Sequence, residues 1–319
     1  MPKLTISSAP HIRAEHSIQS IMLDVLFALL PAALAGIYFF GLKSLLLIAT
    51  CVITCVAVEW LYQNACGFRI TVSDLSAAVT GLLLALVLPP QTPWWAAGTG
   101  SIVAILVTKQ FFGGLGHNIF NPALIGRAFL MASWPAYMTT WAQPAGLYSH
   151  DWLSLTDAVT GATPLALAKT GQYTSQIDLF LGSVGGCVGE TSALALLLGA
   201  CYLLLRGHIG WQTPASYLGT VALLSWVLGE NGFFTGHPMF HLLAGGLILG
   251  AFFMATDPVT TPLTGKGKII FGLGAGILTV VIRKYGGYPE GVCYSILLMN
   301  AVTPLIDRFT AKRRLEAGK

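Results

Sequence analysis

Long apolar runs, broken by short polar or proline-bearing stretches, recur along the chain from Ile21 to Ile306. They predict ten helical segments, at about 21–40, 42–63, 75–90, 94–112, 119–137, 181–205, 211–229, 240–256, 268–284 and 290–306. A hydrocarbon core of about 30 Å takes roughly 20 residues of α-helix to cross, and most of these segments have that length. The expected fold class is therefore an all-α polytopic membrane protein with about ten transmembrane helices. Pro89-Pro90, Asn121-Pro122 and Asp257-Pro258 interrupt the runs. Proline removes a backbone donor and clashes with the preceding turn, so these spans are expected to be broken helices whose freed polar groups need a partner.

The halves echo one another. Gly81 to Pro90 is matched by Gly246 to Ala255 leading into Asp257-Pro258, and Lys109-Gln-Phe-Phe-Gly113-Gly114 by Arg283-Lys284-Tyr-Gly286-Gly287. Five spans per copy is an odd number, so the second copy crosses in the opposite sense, which predicts two inverted five-helix repeats. The reading is one membrane domain, 1–319. Its first repeat is 20–137, a loop follows at 138–180, the second repeat is 181–306, and 307–319 is a basic tail.

Composition strengthens this picture: 55% of residues are hydrophobic and only 9% charged, too little polar surface for a soluble globule of this size. The net charge of +4 does not suggest nucleic acid, because the basic residues sit at span ends as topology signals do. With a cytoplasmic N-terminus, Lys3, Arg13, Arg69, Lys109, Arg206, Lys266, Lys268 and the tail from Arg308 face the cytoplasm. Lys43, Lys169, Arg283 and Lys284 face outward, and Arg127 lies within a span. The positive-inside bias thus puts both termini in the cytoplasm and loop 138–180 outside. No signal peptide is expected before the first span. The six cysteines are scattered with no Cys-x-x-Cys pair, so neither an iron–sulfur nor a zinc site is expected from this chain alone, and no metal site is assigned.

The polar island Asp157-Ala158-Val159-Thr160-Gly161-Ala162-Thr163-Pro164 carries the most specific chemistry. Thr163 before Pro164 reads as the N-cap of a short helix over Leu165-Ala166-Leu167-Ala168. A cap does not exclude a cofactor, because a helix N-terminus offers free N–H groups to a phosphate, and Gly161 and Ala162 leave the approach open.

The same island resembles the acceptor motif of membrane flavoproteins that carry FMN esterified through its phosphate to the last threonine. Four further segments share the resemblance: Phe112 to Phe129, Gly182 to Ala193, Met254 to Val259, and Gly286-Gly-Tyr-Pro-Glu-Gly291. Together they are similar to the NqrB/RnfD family, which joins the D-type component of the Rnf electron transport complex with the B-type component of the sodium-pumping NADH:quinone reductase. The short N-terminus and the Gly286–Gly291 segment look more like the Rnf branch.

The resemblance implies covalent FMN on Thr163, placed by a flavin transferase that uses FAD and Mg²⁺ and reads Asp157 and Thr160. It also implies a noncovalent riboflavin, for which no contacts are assigned. The location implied is the bacterial inner membrane, with the flavin loop on the periplasmic side. The implied partners are other Rnf subunits: membrane subunits, a periplasmic-side flavoprotein subunit, and cytoplasmic iron–sulfur and NADH-binding subunits. The implied activity is electron flow between reduced ferredoxin and NAD coupled to Na⁺ or H⁺ movement.

Ionisable residues in spans cost about 2.5–3.5 kcal/mol on insertion scales and are functional candidates by default. Asp24 and Asp74 lie near span ends, where interfacial solvation accounts for them. Glu190 and Asp257 are candidates for ion passage or the flavin environment, and Arg127 for a carboxylate pair or flavin binding. The pairs Gly182/Gly186, Gly185/Gly189, Gly246/Gly250 and Gly272/Gly276 predict close helix packing rather than a nucleotide loop. His237 and His241 at i, i+4 lack a third metal ligand. Trp94, Trp95, Trp134, Trp141, Trp211 and Trp226 read as interfacial anchors. Two other functions stay open: a small-solute transporter or channel built on the same repeats, and an assembly scaffold without a chromophore.

Overall fold

The computed structural model describes residues 17–144, 160–229, 232–287 and 290–310. Helix α1 (Ile18–Phe40) starts where the Ser17 hydroxyl accepts from the Ser20 amide. Gly41, at φ 71°, turns the chain directly into α2 (Leu42–Ala65), a conformation that glycine adopts without steric cost. Helix α3 (Ser76–Leu86) is buried along nearly its whole length and stops short of Pro89-Pro90. Helix α4 (Trp94–Ile105) follows and continues as a π-helical turn over Leu106–Gln110.

The Asn121 side chain caps α5 (Pro122–Ser133) by accepting from the Ala123 and Leu124 amides, with Pro122 in the first position. A single turn, α6 (Pro135–Met138), leads to a two-residue strand β1 (Trp141–Ala142). Its partner β2 (Thr160–Gly161) precedes two short helices, α7 (Pro164–Ala168) and α8 (Gln176–Leu181).

Ser192 caps α9 (Ala193–Leu205), which is followed by α10 (Gln212–Val227). Next come α11 (Pro238–Leu243) and α12 (Leu247–Leu249), the latter running into a second π-helical turn over Gly250–Met254. Thr264 caps α13 (Gly265–Tyr285), and α14 (Val292–Thr310) closes the described chain.

Among the described residues, α1, α2, α13 and α14 are long and apolar enough to cross a membrane by themselves. The spans expected at 75–90, 119–137, 181–205 and 240–256 are each shorter or divided. The prolines account for the first and second, and the fourth divides at Ala244–Gly246, where Gly245 takes a φ of 71°. The break at Gly182–Thr191 has another cause: Val188 and Gly189 give their amides to the Leu88 and Leu86 carbonyls at the end of α3. The chain between α8 and α9 thus satisfies the broken end of α3 rather than its own helix. The pairs Gly182/Gly186 and Gly185/Gly189 are consequently not helix-packing pairs, which corrects the expectation from their spacing. Gly272 and Gly276 do lie on α13, against Thr213, Ser216 and Thr220 of α10.

Helix α3 forms the centre, with α1, α2 and α5 against it, while α10 and α14 flank α13. The two ends of the chain interlock, since α1 packs on α9 and α5 on α14. Large apolar side chains cover the outside, Leu34 at 63% and Ile53 at 67% exposure, as expected of a surface that faces lipid. Trp94, Trp95, Trp211 and Trp226 are exposed, but Trp141 is buried in β1 and is no anchor.

The tightest crossing is Gly199 of α9 against the Ala28 carbonyl of α1, where an added Cβ would also lie 3.1 Å from the Phe253 ring. Gly199→Ala is expected to lower stability by about 1–3 kcal/mol through overpacking, read as a lower thermal midpoint of the purified protein.

Candidate functional site

Within loop 138–180, β1 and β2 pair antiparallel, with Trp141 opposite Gly161 and Ala142 opposite Thr160. Asp157 lies outside the described residues, and of Thr160 only the strand backbone is described. A Cβ at Gly161 would meet only the tip of the exposed Gln143 side chain, which is free to move aside. Ala162 is exposed, whereas Thr163 is 3% exposed. The Thr163 hydroxyl accepts from the Ala166 amide at 3.2 Å, and Pro164 stands at the first position of α7. The cap expected from the sequence is therefore present.

Two cavities flank this turn. The larger, about 480 Å³, lies against α7, with Leu165, Val221 and Val280 on its apolar wall and Lys169, His241 and Arg283 on its polar side. The smaller, about 10 Å³, is enclosed by Thr163, Glu190, Thr191, Gly245 and Glu290 among others.

Glu190 belongs to a buried cluster centred on Arg127 of α5. Arg127 NH1 donates to Glu190 Oε1 at 3.0 Å, to Cys187 Sγ at 3.6 Å and to the Val87 carbonyl, while NH2 pairs with Glu290 Oε2. One guanidinium thereby joins the end of α3, the turn before α9 and the start of α14. Of the two roles open to Arg127, carboxylate pairing is the one seen. Sequence reasoning does not single out Glu290, although it lies in the Gly286–Gly291 segment. Its neighbours Pro289 and Gly291 disguise it as a loop residue.

A second buried pair is also missed by the sequence pattern. Lys109 Nζ lies 2.7 Å from Glu59 Oε2, 2.9 Å from Oε1 and 2.6 Å from Ser76 Oγ. Lys109 is 1% exposed, so its reading as a cytoplasmic interfacial charge is corrected. The signal in the sequence is Glu59 itself, an acid well inside the apolar run of α2. Arg283, read as an outward-facing charge, is also buried, and donates to the His241 and Ala244 carbonyls.

Asp24 is not solvated at an interface either. Its carboxylate accepts from Tyr202 OH at 2.7 Å and Arg206 NH2 at 3.2 Å, and His208 Nε2 lies 2.6 Å away. These contacts staple α1 to the end of α9. Hydrogen bonding to Asp24 raises the Arg206 guanidinium above its ordinary pKa, so it stays charged. Asp74 lies at the entry to α3 and accepts from the Ser76 amide at 2.8 Å and its hydroxyl at 2.5 Å.

Asp257 holds the turn after the second π-helical segment, accepting from the Val259 amide and the Thr260 hydroxyl. It also lines a cavity of about 380 Å³ with Lys109, Asn118, Asn121, His208 and Phe252. Asn118 Oδ1 is buried without a hydrogen-bond partner among the described residues. His237 packs its ring on Tyr173 at 4.5 Å and is in no candidate metal group among the described residues.

Comparison with known proteins matches this arrangement to one family over nearly its whole length. The model of the NQR2, RnfD, RnfE family covers residues 5–316. The chain is 53% identical over 315 residues to the D component of the Na⁺-translocating ferredoxin:NAD⁺ oxidoreductase complex of Acetobacterium woodii, covering 97% of this chain and 94% of that one. It is 51% identical over 318 residues to the D component of the proton-translocating ferredoxin:NAD⁺ oxidoreductase complex of Clostridium ljungdahlii, covering 96% and 94%. The D component of the ion-translocating oxidoreductase complex of Pectobacterium atrosepticum is 39% identical over 343 residues, with 97% of each chain covered. With a family match across the length of the chain and relatives at these identities, this protein belongs to the NQR2, RnfD, RnfE family.

Proposed function

We propose that this chain is the flavin-bearing membrane subunit of an ion-translocating ferredoxin:NAD⁺ oxidoreductase complex, with FMN esterified through its phosphate to Thr163. The supporting observation is the placing of that threonine: it caps α7, whose Leu165 and Ala168 line a cavity of about 480 Å³. Leu165, Val221 and Val280 suit the flat face of a flavin ring, and Lys169, Arg283 and Lys284 suit its anionic groups. Bound FMN supplies one- and two-electron steps. The protein's part is to fix the ring and exclude water from it. Catalysis of the net reaction belongs to the assembled complex, with further membrane subunits, a periplasmic-side flavoprotein subunit and cytoplasmic iron–sulfur and NADH-binding subunits as partners.

A noncovalent riboflavin fits the 380 Å³ cavity, where Asn118 Oδ1 leaves an acceptor free for a donor such as the flavin imide N–H. Ten crossings in two inverted repeats find support in the two matched segments: α3 stops before Pro89-Pro90, and the stretch Leu247–Met254 stops before Asp257-Pro258. The second matched pair, Lys109 and Arg283, are both buried cations that donate to groups on other elements. The orientation, with cytoplasmic termini and the Thr163 loop on the periplasmic side of the inner membrane, still follows from the basic residues. Burial of Lys109 and Arg283 removes one charge from each side of that comparison.

Because Thr163 is almost wholly buried, a flavin transferase reaches its hydroxyl only with α7 undocked. The test is expression with and without an active transferase, followed by ultraviolet fluorescence of the denatured band. Wild type is expected to fluoresce only with transferase, and Thr163→Ala to lose at least about nine-tenths of the signal. A dark wild-type band with active transferase would shift the reading to a solute transporter.

A further inference from the structure

The cavity of about 480 Å³ beside α7 carries positive charge that nothing on its wall balances. Lys169, Arg283 and Lys284 all line it, and no Asp or Glu is among the residues that do. Among the described residues, each of the three hydrogen-bonds to main-chain carbonyls alone. Lys169 Nζ donates to Gly286 at 2.9 Å, Arg283 to His241 at 2.7 Å and Ala244 at 3.0 Å, and Lys284 Nζ to Leu228 at 3.0 Å. None of them enters an ion pair among these residues. A carbonyl dipole offsets only part of a full charge, so a buried cation held in this way is costly unless an anion joins it.

Arg283 is the most buried of the three. It is 6% exposed, and its Nε makes no hydrogen bond among the described residues, so one N–H of a permanently charged group is unspent. His241 Nδ1, on the same wall, is also buried without a hydrogen-bond partner among the described residues. The path from Arg283 to Thr163 is short. A Cβ on Gly245 would lie 2.8 Å from Leu165 Cδ1 and 3.4 Å from Arg283 Nη2, and Leu165 is the second residue after Thr163. Gly245 and Thr163 also enclose the smaller cavity together. Arg283 and the cap of α7 thus adjoin across one glycine.

We propose that Arg283 binds the flavin carried by Thr163 and sets its potential: Nε donates to the N1–C2=O edge of the ring, and the guanidinium holds the charge that reduction places there. The inference rests on the flavin reading. Two electrons and one proton, supplied in the test by dithionite and water, convert the neutral oxidised ring into a reduced ring with one negative charge, spread over that edge. A fixed cation beside the edge favours the reduced form and raises the midpoint potential, since charge near N1 is one of the means by which a protein tunes a flavin. Lys169 and Lys284, both exposed, add a weaker contribution because solvent and salt screen them.

The full chain is co-expressed with the flavin transferase, placed in lipid nanodiscs and titrated with dithionite in the presence of redox mediators. Thr163→Ala is titrated alongside, so that the flavin component missing from it is the one read. Arg283→Gln is expected to keep the fluorescent covalent band and to favour reduced over oxidised flavin at least tenfold less than wild type, a midpoint about 30 mV more negative for a two-electron couple. Arg283→Lys, which keeps the charge, should recover at least half of that shift, whereas a residue that only ties α13 to α11 would leave the potential alone. If Arg283→Gln does not run as a monodisperse peak, Lys169→Gln combined with Lys284→Gln decides, and should weaken the preference at least threefold, about 14 mV. A wild-type band without fluorescence overturns the flavin reading and this one together. A fluorescent band whose midpoint is the same in wild type and in the folded variant overturns this inference alone.

Discussion

Arg127→Leu is expected to leave little folded protein. Leucine keeps much of the apolar volume on α5 but strands the buried Glu190 carboxyl and the Val87 carbonyl, and takes the partner from the nearly buried Glu290. Removing one partner of a buried ion pair costs about 3–5 kcal/mol, because the other charge stays behind unpaired. Here two carboxylates stay behind, so the loss is expected at or above that range. The check is the monodisperse fraction and thermal midpoint after detergent extraction. Glu190→Gln provides the contrast: the amide oxygen can still accept from Arg127 and the Arg127–Glu290 pair is kept, so its stability should stay near that of wild type. The triple variant, combining Arg127→Leu with Glu190→Gln and Glu290→Gln, should recover most of the loss. A monodisperse Arg127→Leu protein with a wild-type midpoint would show that the cluster does not hold the three elements together.

Lys109→Met is the second large effect. The ammonium donates to Glu59 and to Ser76, and Glu59 also accepts from Gln63 and Thr71. Methionine fills a similar path through the protein but leaves the Glu59 carboxylate uncompensated, at a cost of about 3–5 kcal/mol. The double variant Lys109→Met with Glu59→Leu replaces both charges by apolar groups and is expected to return to within about 1–2 kcal/mol of wild type, since well-packed apolar substitutes for buried pairs are often neutral. Thermal midpoints of the two singles and the double form a cycle that isolates the pair. A cycle with no coupling would mean that water or lipid headgroups reach Glu59.

Much of this is legible in the sequence, for physical reasons. Hydrophobic runs long enough to cross a bilayer are unambiguous, and Pro89-Pro90, Asn121-Pro122 and Asp257-Pro258 mark breaks because proline cannot continue the hydrogen-bond ladder. The Thr163-Pro164 cap is readable because capping is local chemistry. Pairing across the chain is not readable in this way. Lys109 looks like an interfacial charge because its flanks are short and polar, and only the fold brings it to Glu59 on α2. Asp24 looks solvated because it lies close to the start of its span, although its partners are on and just beyond α9. The break at Gly182–Thr191 contains no proline, and its cause, the carbonyls at the end of α3, is not nearby in sequence.

The interlocking of α1 with α9 and of α5 with α14 constrains biosynthesis. Asp24 waits for Tyr202, Arg206 and His208, and Arg127 waits for Glu190 and Glu290. A ribosome emits the chain from the N-terminus, so the first helices enter the membrane carrying charges whose partners do not yet exist. Until α14 has been made, Arg127 has only part of its coordination. The early half is therefore a folding intermediate dependent on the insertion machinery for shelter, and a message truncated after α5 encodes a substrate for membrane proteases.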